Sequence, residues 1–455
     1  MTVEVIIEAA TGRSVDRQQF GDLTNGVAGL IGSSVKKWLY LLIADNRIDA
    51  IVALKGLVQA GQTVLVVDPG LALHSLQELI ELYRPEAVIC RNGRGDIRNL
   101  ALENGFAELE QCLLSDSAIF TRAIEIEPLH PDLAILLMTS GSTGSARMVR
   151  LSLANLAVNT RDIIEALDIR SHDRVAAHMP LAYSYGLSVL MTHIAAGASV
   201  VLFEDGLASA GFWRGMRQHG VTTLPGVPYH FSLLRRLDIE QLDVPALHTM
   251  TQAGGRMDPD LVVWFASVLQ KRGGRFFVMY GQTEAAPRMT VLPAGQSLIK
   301  PESVGLPLAH GRLEIEDGEV VYYGPNVMMG YAENRADLVR GNDMQGRLPT
   351  GDLGSLDPDG FLCITGRKKR FAKIDGLRIN LDDIERLAKT IAPAVGIEHQ
   401  EQLVLFTTGE PEAVRSHVLA HARLHPSRVA CRAVTEFPRL ANYKIDEHML
   451  RKALR

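Results

Sequence analysis

Residues 139–147 carry Thr139, Ser140, Gly141, Ser142, Thr143 and Gly144, the last of them three positions ahead of the fixed cation Arg147. Glycines let backbone N–H groups converge on an anion without Cβ obstruction, hydroxyls add donors, and a guanidinium forks onto phosphate oxygens. The chemistry on offer is a phosphate cradle. An ordinary Gly/Ser turn has the same composition, and the stretch is neither a Walker loop, which would close on Gly-Lys-Ser/Thr, nor the elbow of serine hydrolases. Its reading depends on four other stretches: Tyr280-Gly281-Gln282-Thr283-Glu284, Thr350-Gly351-Asp352, Gly366-Arg367 with Lys373 and Gly376, and Asn442-Tyr443-Lys444-Ile445-Asp446. Together these supply what a nucleotide site needs: hydroxyls for phosphates, a carboxylate for a divalent ion, a carboxylate for ribose hydroxyls, and cations for developing negative charge. Singly each has a plain structural rival, such as a Gly-Asp turn or a solvated lysine.

These residues must be positioned by strands and helices, and the chain alternates the two. An apolar strand begins at Leu39, a helical period runs from Arg47 to Ala60, and a second strand covers Val64 to Val67. The pattern returns with a strand over Leu133–Leu137, a helix over Leu153–Leu167, a helix around Leu187–Ala196 and short strands at Val221–Leu224, Thr249–Gln252 and Phe276–Met279. Such alternation predicts an α/β fold with parallel sheets, in which loops beyond the strand ends line one crevice. The loops at Gly141, Gly226, Gly254 and Gly281 fall there. After Pro307 short alternating segments with Asp-Gly and Gly-Pro turns predict a small β module, and the last ~85 residues are long enough for a small α+β domain. The expected division is a large N-terminal domain over 1–368 and a small C-terminal domain over 369–455.

The 455 residues are 47% hydrophobic, and 47 basic against 52 acidic residues give a net charge of −5. That balance offers no electrostatic case for a nucleic-acid or membrane-surface partner. Four cysteines, Cys90, Cys112, Cys363 and Cys431, stand far apart without metal-site or disulfide spacing. No apolar run reaches the ~18 residues of a membrane span, and the start Met1-Thr2-Val3-Glu4 has no basic-then-apolar leader. The expectation is a cytoplasmic protein.

Five motifs in this order resemble the adenylate-forming superfamily of acyl- and aryl-CoA synthetases, nonribosomal adenylation domains and beetle luciferases, over roughly Leu39 to the C-terminus. The resemblance implies a large N-terminal domain of α/β layers with a β subdomain and a small mobile C-terminal lid. It implies that Thr139, Ser140, Gly141, Ser142, Thr143 and Gly144 with Arg147 bind the phosphates of ATP, and that Glu284 holds Mg²⁺. Thr283 would grip the α-phosphate, Tyr280 and Gly281 would lie near adenine, and Gly254-Gly255 would wrap it. Asp352 would bind the ribose hydroxyls with Arg367 beside it. Lys444 would bridge the substrate carboxylate and the α-phosphate, while Lys369, Lys373 and Gly376 would serve the hinge and the thiol step. Two departures stand out: Ala146-Arg147-Met148 replaces the family's Pro-Lys-Gly, and Tyr443 replaces the glycine before the catalytic lysine.

The implied reaction is attack of a carboxylate on ATP to give an acyl-adenylate, then transfer of the acyl group to a thiol. Gln282, where adenylation domains usually carry proline, favours coenzyme A as acceptor over the phosphopantetheine of an acyl carrier protein. The alternatives are an enzyme that loads a carrier protein and a nucleotide-binding member without turnover. Pro180 to Leu187 resembles the family's acid-pocket segment, with Tyr183, Tyr185 and Gly186 joined by Val227 and Pro228. No aspartate lies in it, so an α-amino acid is a poor fit and the partner is a small-molecule carboxylic acid.

Overall fold

The computed structural model describes residues 4–31, 36–110, 114–124, 127–139, 147–237, 239, 242–368, 370–374, 377–422 and 424–454. By contacts the chain forms two compact units, one of Met1–Arg312 with Tyr322–Leu348 and one of Leu313–Val321 with Pro349–Arg455. Lys369, at the expected domain boundary, lies outside the described residues.

The larger unit is built on two mixed sheets. In the eight-stranded one, β1 (Leu39–Ile43), β2 (Thr63–Val67), β3 (Ala87–Arg91) and β4 (Leu133–Met138) run parallel in the order β4-β2-β1-β3. β1 and β2 are buried at every position, which is why they read as continuous apolar runs rather than as alternating ones. β4 turns back antiparallel into β5 (Met148–Ser152), with Met138 opposite Met148, and Gly330–Ala332 closes that edge by pairing with β5. Ser152 then caps α1 (Leu153–Leu167), its hydroxyl accepting from Asn155 N at 3.1 Å while Asn155 Oδ1 accepts from Ser152 N at 2.9 Å.

The nine-stranded sheet carries β6 (Arg174–Ala177), β7 (Ser199–Leu202), β8 (Thr223–Gly226), β9 (Thr249–Gln252) and β10 (Arg275–Gly281), parallel in the order β10-β9-β8-β6-β7. α2 (Ser184–Ala195) follows β6, α3 (Pro228–Arg236) follows β8, and β11 (Arg288–Leu292) returns antiparallel beside β10. Glu4–Glu8 adds a further parallel strand beside β7. α2 begins three residues earlier than its apolar pattern predicts, so Tyr185 and Gly186 sit in its first turn. Glycine is required at 186 because a Cβ there would stand 2.3 Å from the Pro180 carbonyl oxygen.

The smaller unit has a four-stranded sheet of β12 (Arg312–Glu316), β13 (Glu319–Tyr323), β14 (Arg347–Leu356) and β15 (Leu362–Arg367), in that order. A second core follows, where α4 (Leu381–Lys389) lays Leu381, Ile384 and Ala388 against Leu403, Leu405, Val414 and Val418. Among the described residues no helix is long and apolar enough to cross a membrane.

One buried ion pair ties the larger unit together. Glu86 accepts from both terminal nitrogens of Arg335, at 2.9 and 3.1 Å, and from Leu39 N at 2.8 Å. Removing one partner strands the other charge, so Glu86→Ala is expected to destabilise the protein by about 3–5 kcal/mol, whereas the apolar double variant Glu86→Leu/Arg335→Met should lose far less. Urea unfolding of the two variants checks this; equal losses would mean the pair contributes through packing alone.

Candidate active site

The register of β8, β9 and β10 aligns three loops along one edge of the nine-stranded sheet: Gly226 lies beside Gln252, and Gln252 beside Val278. At that edge Gly254 has φ +83°, and a Cβ on it would lie 2.3 Å from the Tyr183 hydroxyl and 3.2 Å from Val227 Cγ1. Glycine is therefore required twice over at 254, by conformation and by space. A Cβ on Gly255 would touch Pro228 Cγ at 3.3 Å. Gly254, Gly255, Tyr183, Val227 and Pro228, singled out separately along the chain, thus form one cluster.

The start of α2 distributes three side chains. Tyr183 precedes the helix at Gly254, and Ser184 Oγ meets Thr283 Oγ1 at 3.0 Å. Tyr185 turns inward, where its hydroxyl donates to Thr251 O at 2.9 Å. Burial pushes both phenols up to about 12 against the pull of Arg288, so both stay protonated donors at neutral pH. Arg288 was not singled out by its motif, yet its guanidinium sits 4.5 Å from the Tyr185 ring centroid and is 3% exposed. Burial lowers its pKa, and Tyr185 and Tyr183 act in the opposite sense. The only signal for it in the chain is an arginine heading the apolar strand Met289-Thr290-Val291-Leu292.

Tyr280 and Gly281 end β10, and Thr283 and Glu284 lie on the short 3-10 turn that follows. Glu284 Oε1 accepts from the Tyr331 hydroxyl at 2.8 Å, and the Arg147 guanidinium lies over the same tyrosine ring, 4.3 Å from its centroid. Arg147 N-terminal to β5 and Tyr331 on the neighbouring edge strand meet because Tyr331 pairs with Val149. Thr139 N reaches Arg147 O at 3.5 Å across the loop mouth. One chain of contacts therefore joins the far side of the candidate phosphate loop to the Thr-Glu turn of the other sheet. Ser140, Gly141, Ser142, Thr143 and Gly144 lie outside the described residues. Tyr331 was missed because its importance comes from strand pairing, which leaves no local mark.

In the smaller unit Asp352 on β14 pairs in register with Arg367 on β15, Nε to Oδ1 3.7 Å apart, and Asp352 N donates to Thr350 Oγ1 at 3.1 Å. Lys373 is exposed on the strand Phe371–Ile374, and Gly376, like Lys369, lies outside the described residues. Lys444 sits in a tight bracket: its N–H donates to Asn442 Oδ1 at 3.1 Å and its carbonyl accepts from Leu440 N at 2.9 Å. Tyr443 before it has φ +63°, a left-handed conformation that glycine adopts without strain.

Residues 28–332 match the family described as AMP-binding enzyme. The chain belongs to the AMP-binding enzyme family. A 2-succinylbenzoate–CoA ligase of Bacillus cereus is 33% identical over 264 residues, 55% of this chain and 53% of that protein, so the match spans about half the relative's length. A long-chain-fatty-acid–CoA ligase of Salmonella typhimurium is 27% identical over 399 residues, 76% of this chain and 70% of that one. The solved structure of o-succinylbenzoate coenzyme A synthetase from Bacillus subtilis, in complex with ATP and magnesium ion, shares the fold with TM-score 0.75 and 21% identity, over 98% of this chain and 96% of that one. The expected α/β class is what the chain shows, and its smaller compact unit takes in Leu313–Val321 and begins again at Pro349, ahead of the expected boundary at 369.

The Tyr331–Glu284 hydrogen bond can be tested by a single atom. Tyr331→Phe keeps the ring beneath Arg147 but removes the donor, so a half-buried carboxylate loses its partner at a cost of about 1–3 kcal/mol. Urea denaturation of Tyr331→Phe against the parent measures it; unchanged stability would mean that Glu284 exchanges Tyr331 for water without loss.

Proposed function

We propose that this enzyme activates a carboxylic acid with ATP as an acyl-adenylate, releasing pyrophosphate, and transfers the acyl group to the thiol of coenzyme A. The single observation that carries the reading is the contact chain Arg147–Tyr331–Glu284, with Thr283 held by Ser184 beside it. Arg147, Glu284 and Thr283, which come from separate motifs, are linked through these contacts, and this supports reading them as the phosphate cation, the metal-binding carboxylate and the α-phosphate hydroxyl. The names of the relatives, ligases of 2-succinylbenzoate and of long-chain fatty acids with CoA, support the same chemistry.

Each residue then has a defined task. Thr139 to Gly144 and Arg147 bind the phosphates, and Thr283 donates to the α-phosphate. Among the described residues no three His, Cys, Asp or Glu side chains gather for a metal. Mg²⁺ is commonly held by one or two carboxylates plus substrate phosphates; Glu284 would be that carboxylate, and when bound the ion neutralises phosphate charge. Tyr331 orients the Glu284 carboxylate, and Arg147, stacked on the same ring, keeps its fork directed. Gly254 and Gly255 let the backbone approach the adenine, with Tyr280 and Gly281 beside it. Tyr183, Tyr185, Gly186, Val227 and Pro228 receive the acid. Asp352 takes the ribose hydroxyls beside Arg367, and Lys444 neutralises charge at the reacting oxygens. Rotation of the C-terminal domain, 369–455, about Lys369 would then present Lys373 and Gly376 for the thiol step. Coenzyme A is the assigned acceptor, with an acyl carrier protein's phosphopantetheine as its rival, and the cytoplasm is the assigned compartment.

Pyrophosphate exchange over a panel of acids tests the reading, and two variants locate it. Glu284→Gln should reduce Mg²⁺-dependent exchange by ~10² or more, and Lys444→Ala should slow acyl-adenylate formation on the same scale, that of one lost charge-stabilising donor. Thioester formation from supplied acyl-adenylate and coenzyme A should survive in Lys444→Ala. Exchange with no acid would reject the activity; equal loss of both half-reactions would reject the role of Lys444; exchange with acceptance only by a carrier protein would move the acceptor.

A further inference from the structure

Arg288 is a buried cation without a buried anion. Of its side-chain donors, Nη2 reaches Ser188 Oγ at a long 3.5 Å, and Nε is buried with no acceptor at all. Its guanidinium also lies over the face of Tyr185. Among the described residues no carboxylate pairs with it, and the ionisable groups that act on it are Tyr185 and Tyr183. A buried charge is ordinarily paired, because leaving water is costly and an unmatched donor recovers none of that cost. The side chain is not there by looseness of the backbone. Arg288 N donates to Asn159 Oδ1 at 3.1 Å, and Arg288 O accepts from Asn159 Nδ2 at 2.7 Å and Asn326 Nδ2 at 3.1 Å.

Its surroundings point to an oxygen ligand. Arg288, Tyr185, Ser188 and His193 are on the polar part of a cavity of about 20 Å³ whose remaining wall is largely apolar and whose other charged lining residues are Asp173 and Arg275, room for one water-sized guest. His193 Nε2, on the same wall, is also buried without a partner. Ser184 touches Thr283 at the reacting end of the site, and Ser188 touches Arg288 one helical turn further along α2, a rise of about 6 Å. Tyr185, assigned to the acid pocket, lies on the same first turns of α2, with the Arg288 guanidinium over its ring.

Resting on the acid-activating reading above, we propose that Arg288 is a specificity-determining residue that binds a second carboxylate at the far end of the substrate, so that the enzyme selects dicarboxylic acids. One oxygen of that carboxylate takes the water-sized space, Nε and Nη2 fork onto the group, and the other carboxylate reacts beside Thr283. The acid spans about one helical turn between its two carboxylates.

Calorimetric binding of adipate against hexanoate, and of terephthalate against benzoate, tests this without requiring turnover. The parent enzyme should bind each diacid ~10² more tightly than the monoacid of the same skeleton, the scale on which a site built for a hydrogen-bonding group rejects an analogue that lacks it. Arg288→Met should erase that preference while the Kd of Mg-ATP stays within a few-fold. Arg288→Lys, which keeps the charge but not the fork, should retain part of it and serves where the methionine variant does not fold. Equal affinity for diacids and monoacids in the parent, or a diacid preference that survives both substitutions, overturns the proposal. An Arg288-dependent diacid preference in a protein that shows no pyrophosphate exchange would keep this inference and reject the activity instead.

Discussion

The turn from Gly281 to Arg288 is the constraint on which the site depends. A Cβ at Gly281 would stand 1.9 Å from the Pro287 carbonyl oxygen, so β10 can fold back on β11 this tightly only with glycine there. The far side of the turn is pinned by amides from two other elements: Asn326 Nδ2 donates to Ala285 O at 2.7 Å and to Arg288 O, and Asn159 on α1 takes both backbone groups of Arg288. Met328 N adds a bond to Glu284 O at 2.8 Å. Thr283, Glu284 and Arg288 are therefore carried on a backbone with little freedom, which is what placement of charged groups around a reacting phosphate requires. The same short segment carries a hydroxyl and a carboxylate at one end and a guanidinium at the other.

Three buried arginines in the larger unit show how differently one residue type can be used. Arg335 is matched by Glu86, and Arg150, fully buried, is matched by Asp343 and by the carbonyls of Tyr331 and Gly341. Both close the eight-stranded sheet against later chain, and Arg150 in doing so holds the backbone of Tyr331, the ring that joins Arg147 to Glu284. Arg288 lacks such a match. Cost without internal compensation is expected where a ligand supplies the missing partner, and structural arginines elsewhere in the same unit show that this chain pairs its buried cations when function asks nothing of them.

Much of this was legible in the chain because the relevant signals are local. The helix Leu153–Leu167 and the strand Thr249–Gln252 fall where periodicity and composition place them, since a capping serine opens the first and glycines end the second. Motif residues at strand ends follow from the parallel α/β pattern itself. What escaped is long-range. Glu4–Glu8 joins the sheet beside Ser199–Leu202, and Glu8 Oε1 accepts from Ile48 N at 3.0 Å, pairings to which no nearby spacing points. α2 starts at Ser184 without a side-chain cap, so its first turn, which carries Tyr185 and Gly186, looked like loop. Tyr331 and Arg288 owe their positions to antiparallel register between distant strands. Their residue types are ordinary; only the pairing brings them to the candidate site.

The departure at Tyr443 has a physical meaning that the chain alone could not supply. The position before Lys444 adopts φ +63°, so the glycine common there in the family answers a conformational need, and tyrosine meets the same need at a cost of about 1–2 kcal/mol. The surrounding bonds compensate: Tyr443 N donates to Leu440 O at 2.8 Å, and Arg439 Nη1 donates to Tyr443 O at 2.8 Å, while Arg439 pairs with Ile445 across the loop. A glycine at this place would let the loop hinge freely; a tyrosine held in the left-handed region by bonds on both sides keeps it in one shape. Lys444 is thus presented from a stiffened bracket rather than a flexible tail. In the role proposed for Lys444, such stiffness lowers the entropy lost when the lysine is fixed beside a phosphate, and it places the burden of any movement on chain outside this loop.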